Sequence, residues 1–453
     1  MDESPMRFSW KYSPTPGLAR NLSCESRLRY GVSALVRFLL MISRRPNSAT
    51  TETLEGYRRY VVPSYARFPV VFVRGKGSYL WDAEDRRYLD FCGGIAVNVL
   101  GHASPIVGRA LEEQVGRLIH CSNLYYHPMG ARLAETIVRW IGAGKVFFSN
   151  SGAEANECLF KLARRFGESR GAFEILTAQG SFHGRTLAAM AATGQDKVSR
   201  GFGPPIPGFR HVPFLDLAAI ERAIGPATAA ILVEPIQGEG GVRAATGSYL
   251  EGLREICDRH GLLLLLDEVQ TGAFRSGRFL AFQRLVERCE KESNFLPDGV
   301  AMSKGLAGGY PIAATWIREP YADLLGPGSH ASTFGGSPLA CAVAFAVLHH
   351  MEEQGIGGQI REKGEQLRIG LEKVVSTGRG LIRSVAGVGG LLGVHVRRDA
   401  RSVALELLER GLLVAPAAEN VVRLLPPLNV SSEEVSEAIA ILDEANREEE
   451  ATT

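Results

Sequence analysis

Lys304 closes an apolar run, Gly299–Met302 and Ser303, and is followed by Gly305, Gly308 and Gly309. Most lysines are solvated surface groups. A lysine among small residues, beside a glycine loop that can admit a bulky ligand, can instead form a Schiff base with an aldehyde once burial or a neighbour lowers its pKa. Asp267 follows the leucines Leu262–Leu266. A carboxylate there is costly without a cationic partner, such as a protonated pyridine nitrogen, or the hydrogen bonds of an ordinary strand-end cap. Gln270 is either within reach of a ring hydroxyl or a plain loop amide. Ser151-Gly152-Ala153 stands where a strand becomes a helix. Free N–H groups and the helix dipole suit a phosphate there, Gly152 lets the backbone approach closely, and Ser151 reads equally as an N-cap. Together these parts make one cofactor site: a phosphate cradle, an acid for a pyridine nitrogen and a lysine for an aldehyde. No Gly-x-Gly-x-x-Gly follows a strand, and no Gly-x-Ser-x-Gly elbow is present, so the fingerprints of nicotinamide enzymes and of serine hydrolases are missing.

Strand ends must position these groups. Lys145–Ser149 reads as a strand entering a helix that ends near Phe166-Gly167, with Ala155, Leu159, Leu162 and Phe166 on one side. Phe173–Thr177 and Ala229–Val233 are further strands, and the helix Tyr249–His260 stops at Gly261. Leu262–Leu266 suits a strand covered on both faces. This rhythm predicts an α/β fold: a large domain with a mostly parallel central sheet, and ligand groups at the carboxyl ends of its strands. Upstream, strands are expected at Val70–Val73 and Tyr79–Trp81 and a helix over Ser104–Ile119. After about Val347 the pattern becomes that of a smaller α+β domain, with strand Leu391–Val396, helix Ser402–Arg410, strand Val421–Leu425 and a last helix opened by a Ser431/Glu434 capping box. The glutamate-rich end, Glu448–Glu450, is expected to fray. The expected organisation is an N-terminal extension (1–50), a segment contributing to the small domain (51–103), the large cofactor-binding domain (104–346) and the C-terminal small domain (347–453).

At 453 residues the chain exceeds one ordinary core. A net charge of +2 gives no electrostatic case for nucleic acid or an anionic membrane as partner. Seven scattered cysteines without a Cys-x-x-Cys pair read as reduced thiols rather than a disulfide framework or a zinc site. No apolar stretch has the ~18 residues needed to span a bilayer. The first 50 residues carry seven Arg and one Lys against three acidic residues. They read as a mitochondrial or plastid transit peptide, a disordered tail, or a start set too early with Met41 as the alternative; without a transit peptide the location is cytoplasmic.

From about Leu54 to Ala445 the chain resembles the class III aminotransferases of pyridoxal-5′-phosphate (PLP) fold type I, the acetylornithine group most closely. The resemblance is carried by Tyr88–Asn98 (YLDFCGGIAVN), Gly101-His102, Ser149–Glu157 (SNSGAEANE), Phe182–Thr186 (FHGRT), Val233–Gly241 (VEPIQGEGG), Leu266–Gly272 (LDEVQTG) and Ser332–Gly336 (STFGG). It implies that Lys304 holds the cofactor covalently and shuttles protons, that Asp267 pairs with the pyridinium nitrogen, that Gln270 contacts the ring hydroxyl and that Phe182 stacks on the ring. Ser151, Gly152 and Ala153 would bind the phosphate, and Thr333 the phosphate of a neighbouring subunit, which implies a homodimer. Arg185 and Arg423 look like carboxylate clamps, a use suited to the guanidinium fork; the plain alternative is a surface salt bridge. In the related ornithine aminotransferases a Glu at the position of Glu239 masks the Arg matching Arg423 during the first half-reaction, and the same switch is expected here. Three departures stand out. Ala153 replaces a common Thr, which removes one hydroxyl contact. Gln270–Gly277 reads QTGAFRSG where GRTG is usual. The charged stretch between Phe282 and Pro297 is longer than typical, as in a surface insertion.

The resemblance implies ping-pong transfer of the δ-amino group of N2-acetyl-L-ornithine to 2-oxoglutarate, giving N-acetyl-L-glutamate 5-semialdehyde and L-glutamate. Ornithine, succinylornithine, 4-aminobutyrate and N-succinyl-diaminopimelate remain alternative donors. Tyr65 and Tyr126 are candidates for the substrate pocket or for the core. A glutamate-semialdehyde aminomutase needs no second carboxylate clamp, so Arg423 and Glu239 argue against it. A non-catalytic binding protein on the same fold would have lost Lys304 or Asp267, and both are present.

Overall fold

The computed structural model describes residues 47–287, 294–375 and 380–452. The readings of residues 1–46 as an extension, and of the middle of the insertion between Phe282 and Pro297, lie outside the described residues. The described chain opens with helix Ser48–Tyr60, whose N-cap Asn47 accepts from the Thr50 N–H.

A seven-stranded sheet forms the centre. From edge to edge it runs Gly144–Ser149, Ala313–Arg318, Gly299–Met302, Leu263–Asp267, Thr228–Val233, Glu174–Ala178 and Phe209–Val212. Ala313–Arg318 is antiparallel to both neighbours, and the remaining pairs are parallel. The leucine run explains the sheet's double burial. Leu264 and Leu266 join Ile231 and Val233 in one core, while Leu263 and Leu265 join Ala230 and Leu232 in the other, as the two-residue period of a strand requires. Each buried leucine contributes roughly 2 kcal/mol. Helix Gly152–Gly167 covers the second face with Ala155, Leu159 and Leu162, and helices Pro128–Ile141, Gly247–His260 and Pro338–Glu353 cover the first. Gly261 ends helix Gly247–His260 in the left-handed conformation, at φ 62°.

The C-terminal part is α+β. Its antiparallel sheet runs Ile382–Val388, Leu391–Val396, Val421–Leu424, Ala415–Ala417, flanked by helices Ile356–Val375, Ala400–Glu409 and Ser432–Thr452. The N-terminal strands Phe72–Lys76, Tyr79–Asp82 and Arg87–Asp90 join it through Leu412–Leu413, which pairs with Leu89 and Asp90. Tyr79 Oη reinforces the joint by donating to Glu437 Oε2 at 2.8 Å. The capping box is formed on both sides: Ser431 N donates to Glu434 Oε2 at 2.9 Å, and Glu434 N to Ser431 Oγ at 3.2 Å.

Two expectations need correction. The boundary placed at 346/347 falls inside helix Pro338–Glu353, which runs unbroken across it and is followed, after Gly355 at φ 61°, by helix Ile356–Val375. Glu448–Glu450 do not fray: the last helix continues through them, with Glu448 2.6 Å from Arg410 and Glu449 3.3 Å from Arg398. Strands Phe209–Val212, Ala313–Arg318 and Ile382–Val388 were not anticipated. Among the described residues no helix is long and apolar enough to cross a membrane.

Candidate active site

Six strands of the central sheet point their carboxyl ends the same way, and the chemistry collects there. Lys304 follows strand Gly299–Met302 and takes a left-handed backbone at φ 44°. Its amine has no hydrogen-bond or ion-pair partner among the described residues. Burial, and then the positive charge of Arg423, push its pKa down to about 8 against the opposing pull of Glu239, Asp267 and Glu234. A fraction of this amine is therefore neutral and nucleophilic near neutral pH. Gly305 is needed beside it, because a Cβ there would lie 2.6 Å from Val99 Cγ1.

Asp267 ends the leucine strand, 5% exposed. Its Oδ2 accepts from Asn156 Nδ2 at 2.7 Å and lies 2.8 Å from His183 Nδ1, and its Oδ1 accepts from Val269 N at 3.0 Å. Asn156 also donates to the His183 carbonyl at 2.9 Å, so the helix Gly152–Gly167 and the loop carrying Phe182 are tied to the same carboxylate. The neighbouring Glu234 is also buried; it accepts from Phe182 N at 3.0 Å. Burial, and then the charge of Asp267, raise its pKa well above the usual carboxylate value. Sequence reasoning missed His183, Asn156 and Glu234, although all three lie inside the motifs that carried the resemblance.

Ser151 caps the helix Gly152–Gly167 and accepts from Glu154 N. The next two N–H groups, of Gly152 and Ala153, have no acceptor among the described residues. A Cβ on Gly152 would meet Val269 Cγ1 at 2.5 Å, so the close approach demanding glycine here is to a side chain. A Cβ on Gly184 would stand 2.8 Å from Ala153 Cβ, which shows how tightly the loop after Phe182 packs on this helix start.

Arg423 enters from strand Val421–Leu424 of the C-terminal sheet, 1% exposed. It donates from Nη1 to Gln270 Oε1 at 3.0 Å and places Nη2 2.7 Å from Glu239 Oε1. Gln270 thus meets Arg423. Arg185 is exposed, has no carboxylate partner among the described residues, and sets its guanidinium carbon 5.5 Å from the centre of the Phe182 ring. Thr333 is exposed, in the loop whose Ser332 Oγ accepts from Asn150 Nδ2 at 3.1 Å. Tyr65 and Tyr126 are not core residues: they are 73% and 105% exposed.

These residues fit pyridoxal phosphate by their own chemistry. Two unpaired N–H groups at a helix start suit its phosphate, a buried carboxylate suits its ring nitrogen, and an unpaired amine of lowered pKa suits its aldehyde.

The class-III aminotransferase family model matches residues 60–445. The chain is 46% identical over 393 residues to the acetylornithine aminotransferase of Gloeobacter violaceus, covering 86% of this chain and 96% of that protein. It is 43% identical over 391 residues to that of Caldanaerobacter subterraneus subsp. tengcongensis, covering 85% and 97%. Among solved structures, the ornithine aminotransferase of Toxoplasma gondii ME49 superposes with a TM-score of 0.84 at 31% identity, over 96% of this chain and 100% of that one. The acetylornithine aminotransferase of Elizabethkingia anophelis gives 0.77 at 31% identity, over 88% and 99%.

Proposed function

This chain belongs to the class-III aminotransferases, and from that premise we propose that it moves the δ-amino group of N2-acetyl-L-ornithine to 2-oxoglutarate with pyridoxal phosphate as cofactor. The observation that carries the reading is Arg423, buried and paired with Glu239 at 2.7 Å beside Gln270. A transaminase that alternates a donor with a keto diacid needs a second carboxylate clamp that can be covered and uncovered. The aminomutase alternative leaves this pair without a use.

Pyridoxal phosphate, when bound, supplies an electron sink beside the carbon that carries the amino group. Gly152 and Ala153 would hold its phosphate with backbone N–H groups, Asp267 its ring nitrogen, Phe182 its ring face and Lys304 its aldehyde. Asp267 keeps its negative charge in place through Asn156, His183 and Val269 N. Lys304 Nζ, with its pKa near 8, can both take and return a proton close to neutral pH. Arg185, exposed and without a carboxylate partner among the described residues, binds the carboxylate that both substrates present. Glu239 covers Arg423 while the donor is bound and yields when 2-oxoglutarate brings a second carboxylate.

The reading includes a homodimer in which Thr333 reaches the partner's phosphate. Leu124, Tyr125, Tyr126 and Phe334 are 84%, 69%, 105% and 66% exposed. They stand near Asn123, which donates to the Ser332 and Gly335 carbonyls. An apolar surface of this kind suits a second subunit.

A donor screen with purified protein, pyridoxal phosphate and 2-oxoglutarate, following glutamate, tests the reading. Acetylornithine is expected to lead; ornithine outrunning it would overturn the substrate assignment.

A further inference from the structure

Arg275 lies in the loop after Gln270, where FRSG stands for the common GRTG with the arginine retained, and it is 1% exposed. Its Nη1 donates to the Gly390 carbonyl at 3.0 Å and to the Pro426 carbonyl at 2.5 Å. No carboxylate pairs with it among the described residues, and its Nε and Nη2 find no acceptor there. Burial alone pushes its pKa down to about 9. A buried cation held only by carbonyls is an expensive joint, since an apolar side chain of similar volume could fill the space at lower cost.

The position of its acceptors suggests what the expense secures. Gly390 belongs to the turn between strands Ile382–Val388 and Leu391–Val396, and Leu391–Val396 pairs with the strand that carries Arg423, Gly393 opposite Arg423. Pro426 lies three residues beyond Arg423 on that chain. The same loop grips the segment twice: Gln270 holds the Arg423 guanidinium at 3.0 Å, and Arg275 holds the backbone at Pro426. The loop is itself anchored on its other side. Phe274 packs against Trp140 and Phe279, with ring centres 5.4 and 5.7 Å apart, and Gly390 N donates to the Arg275 carbonyl at 2.9 Å.

We infer that Arg275 is a positioning residue for the second carboxylate site: with Gln270 it fixes where the fork of Arg423 points, and so sets affinity for the keto diacid rather than for the amine donor. The inference rests on the reading of Arg423 as a clamp for 2-oxoglutarate.

Arg275→Met removes the carbonyl contacts while relieving the unpaired charge; Arg275→Lys keeps the charge and loses the fork. Both are compared with wild-type holoenzyme for melting temperature, for KM of each substrate and for calorimetric binding of glutarate and of pentanoate. In Arg275→Met the KM for 2-oxoglutarate and the Kd for glutarate are expected to rise roughly tenfold or more. The donor half-reaction and pentanoate binding stay within about twofold, and Arg275→Lys falls between. If Arg275→Met does not fold, the same split between dicarboxylate and donor is read from Arg275→Lys. Equal shifts for both substrates, or unchanged glutarate binding in a variant that folds, would overturn the inference while leaving the functional reading intact. A wild type that neither binds glutarate nor consumes 2-oxoglutarate would defeat both.

Discussion

Asn156 and His183 meet on one oxygen of Asp267, at 2.7 and 2.8 Å, from a helix and a loop that otherwise belong to different βα units. The carboxylate is thereby fixed in direction and kept supplied with donors. Asp267→Asn removes the charge, whereas Gln270→Ala removes one neutral amide. The first is expected to lower kcat by at least roughly a hundredfold more than the second. Asn156→Ala should fall between, since a hydrogen bond to a charged group is worth roughly 1.5–3 kcal/mol. Steady-state rates of the three variants give the comparison; similar losses for Asp267→Asn and Gln270→Ala would contradict it.

Lys304 titrates about where its chemistry needs it. Its folded pKa, about 8, lies below its ordinary 10.5, so the neutral amine is favoured in the fold. The rate at which the apo-protein takes up pyridoxal phosphate is therefore expected to rise with pH through about 8 and then level off. By linkage, this residue's contribution to apo-protein stability rises between about 8 and 10.5, where the unfolded chain holds more protons, and is constant below that window. Stopped-flow absorbance across pH 6.5–9.5 tests the uptake profile, and a rate flat in pH over that range would be inconsistent with the lowered value.

The Glu239–Arg423 pair predicts a partial separation of the half-reactions. Glu239→Gln leaves a neutral group over the guanidinium, and the KM for 2-oxoglutarate should drop several-fold because the keto diacid no longer displaces a charge; Glu239 is partly exposed, so the effect is modest. Arg423→Met should lower kcat/KM for 2-oxoglutarate by roughly a hundredfold while the donor half-reaction survives. Single-turnover measurements of each half distinguish these outcomes from a general loss of activity.

Phe274 sits at φ 64°, a conformation that suits glycine, and Ala273 before it sits at φ 51°. Its ring nonetheless packs on Trp140 and Phe279. Phe274→Gly relieves about 1 kcal/mol of backbone strain and forfeits about 3 kcal/mol or more of packing, so a net loss near 2 kcal/mol is expected. Chemical denaturation of the apo-protein measures it; a stabilised variant would show that the ring contributes little.

Much of the site was legible because its residues announce themselves locally. A leucine run that ends in Asp267 and an apolar strand that ends in Lys304 each state a burial and a chemistry within a few residues. His183 and Asn156 state nothing local: their shared partner lies 84 and 111 positions away in the chain, and only the sheet order brings them together. Strand Ala313–Arg318 escaped notice because both its faces are buried and no alternation marks it, and Phe209–Val212 because it is a four-residue edge carrying exposed Arg210 and His211. The last helix looked loose because a run of glutamates repels itself in isolation, and the arginines that anchor it, Arg398 and Arg410, lie outside that run.

The backbone at position 304, at φ 44°, would be more comfortable with a residue lacking a side chain, and the side chain it carries is only partly exposed. The chain thus keeps its reactive group against its own conformational preference. In a copy freed from turnover nothing would hold a lysine at this left-handed position, so its retention is what separates a working descendant from a silent one.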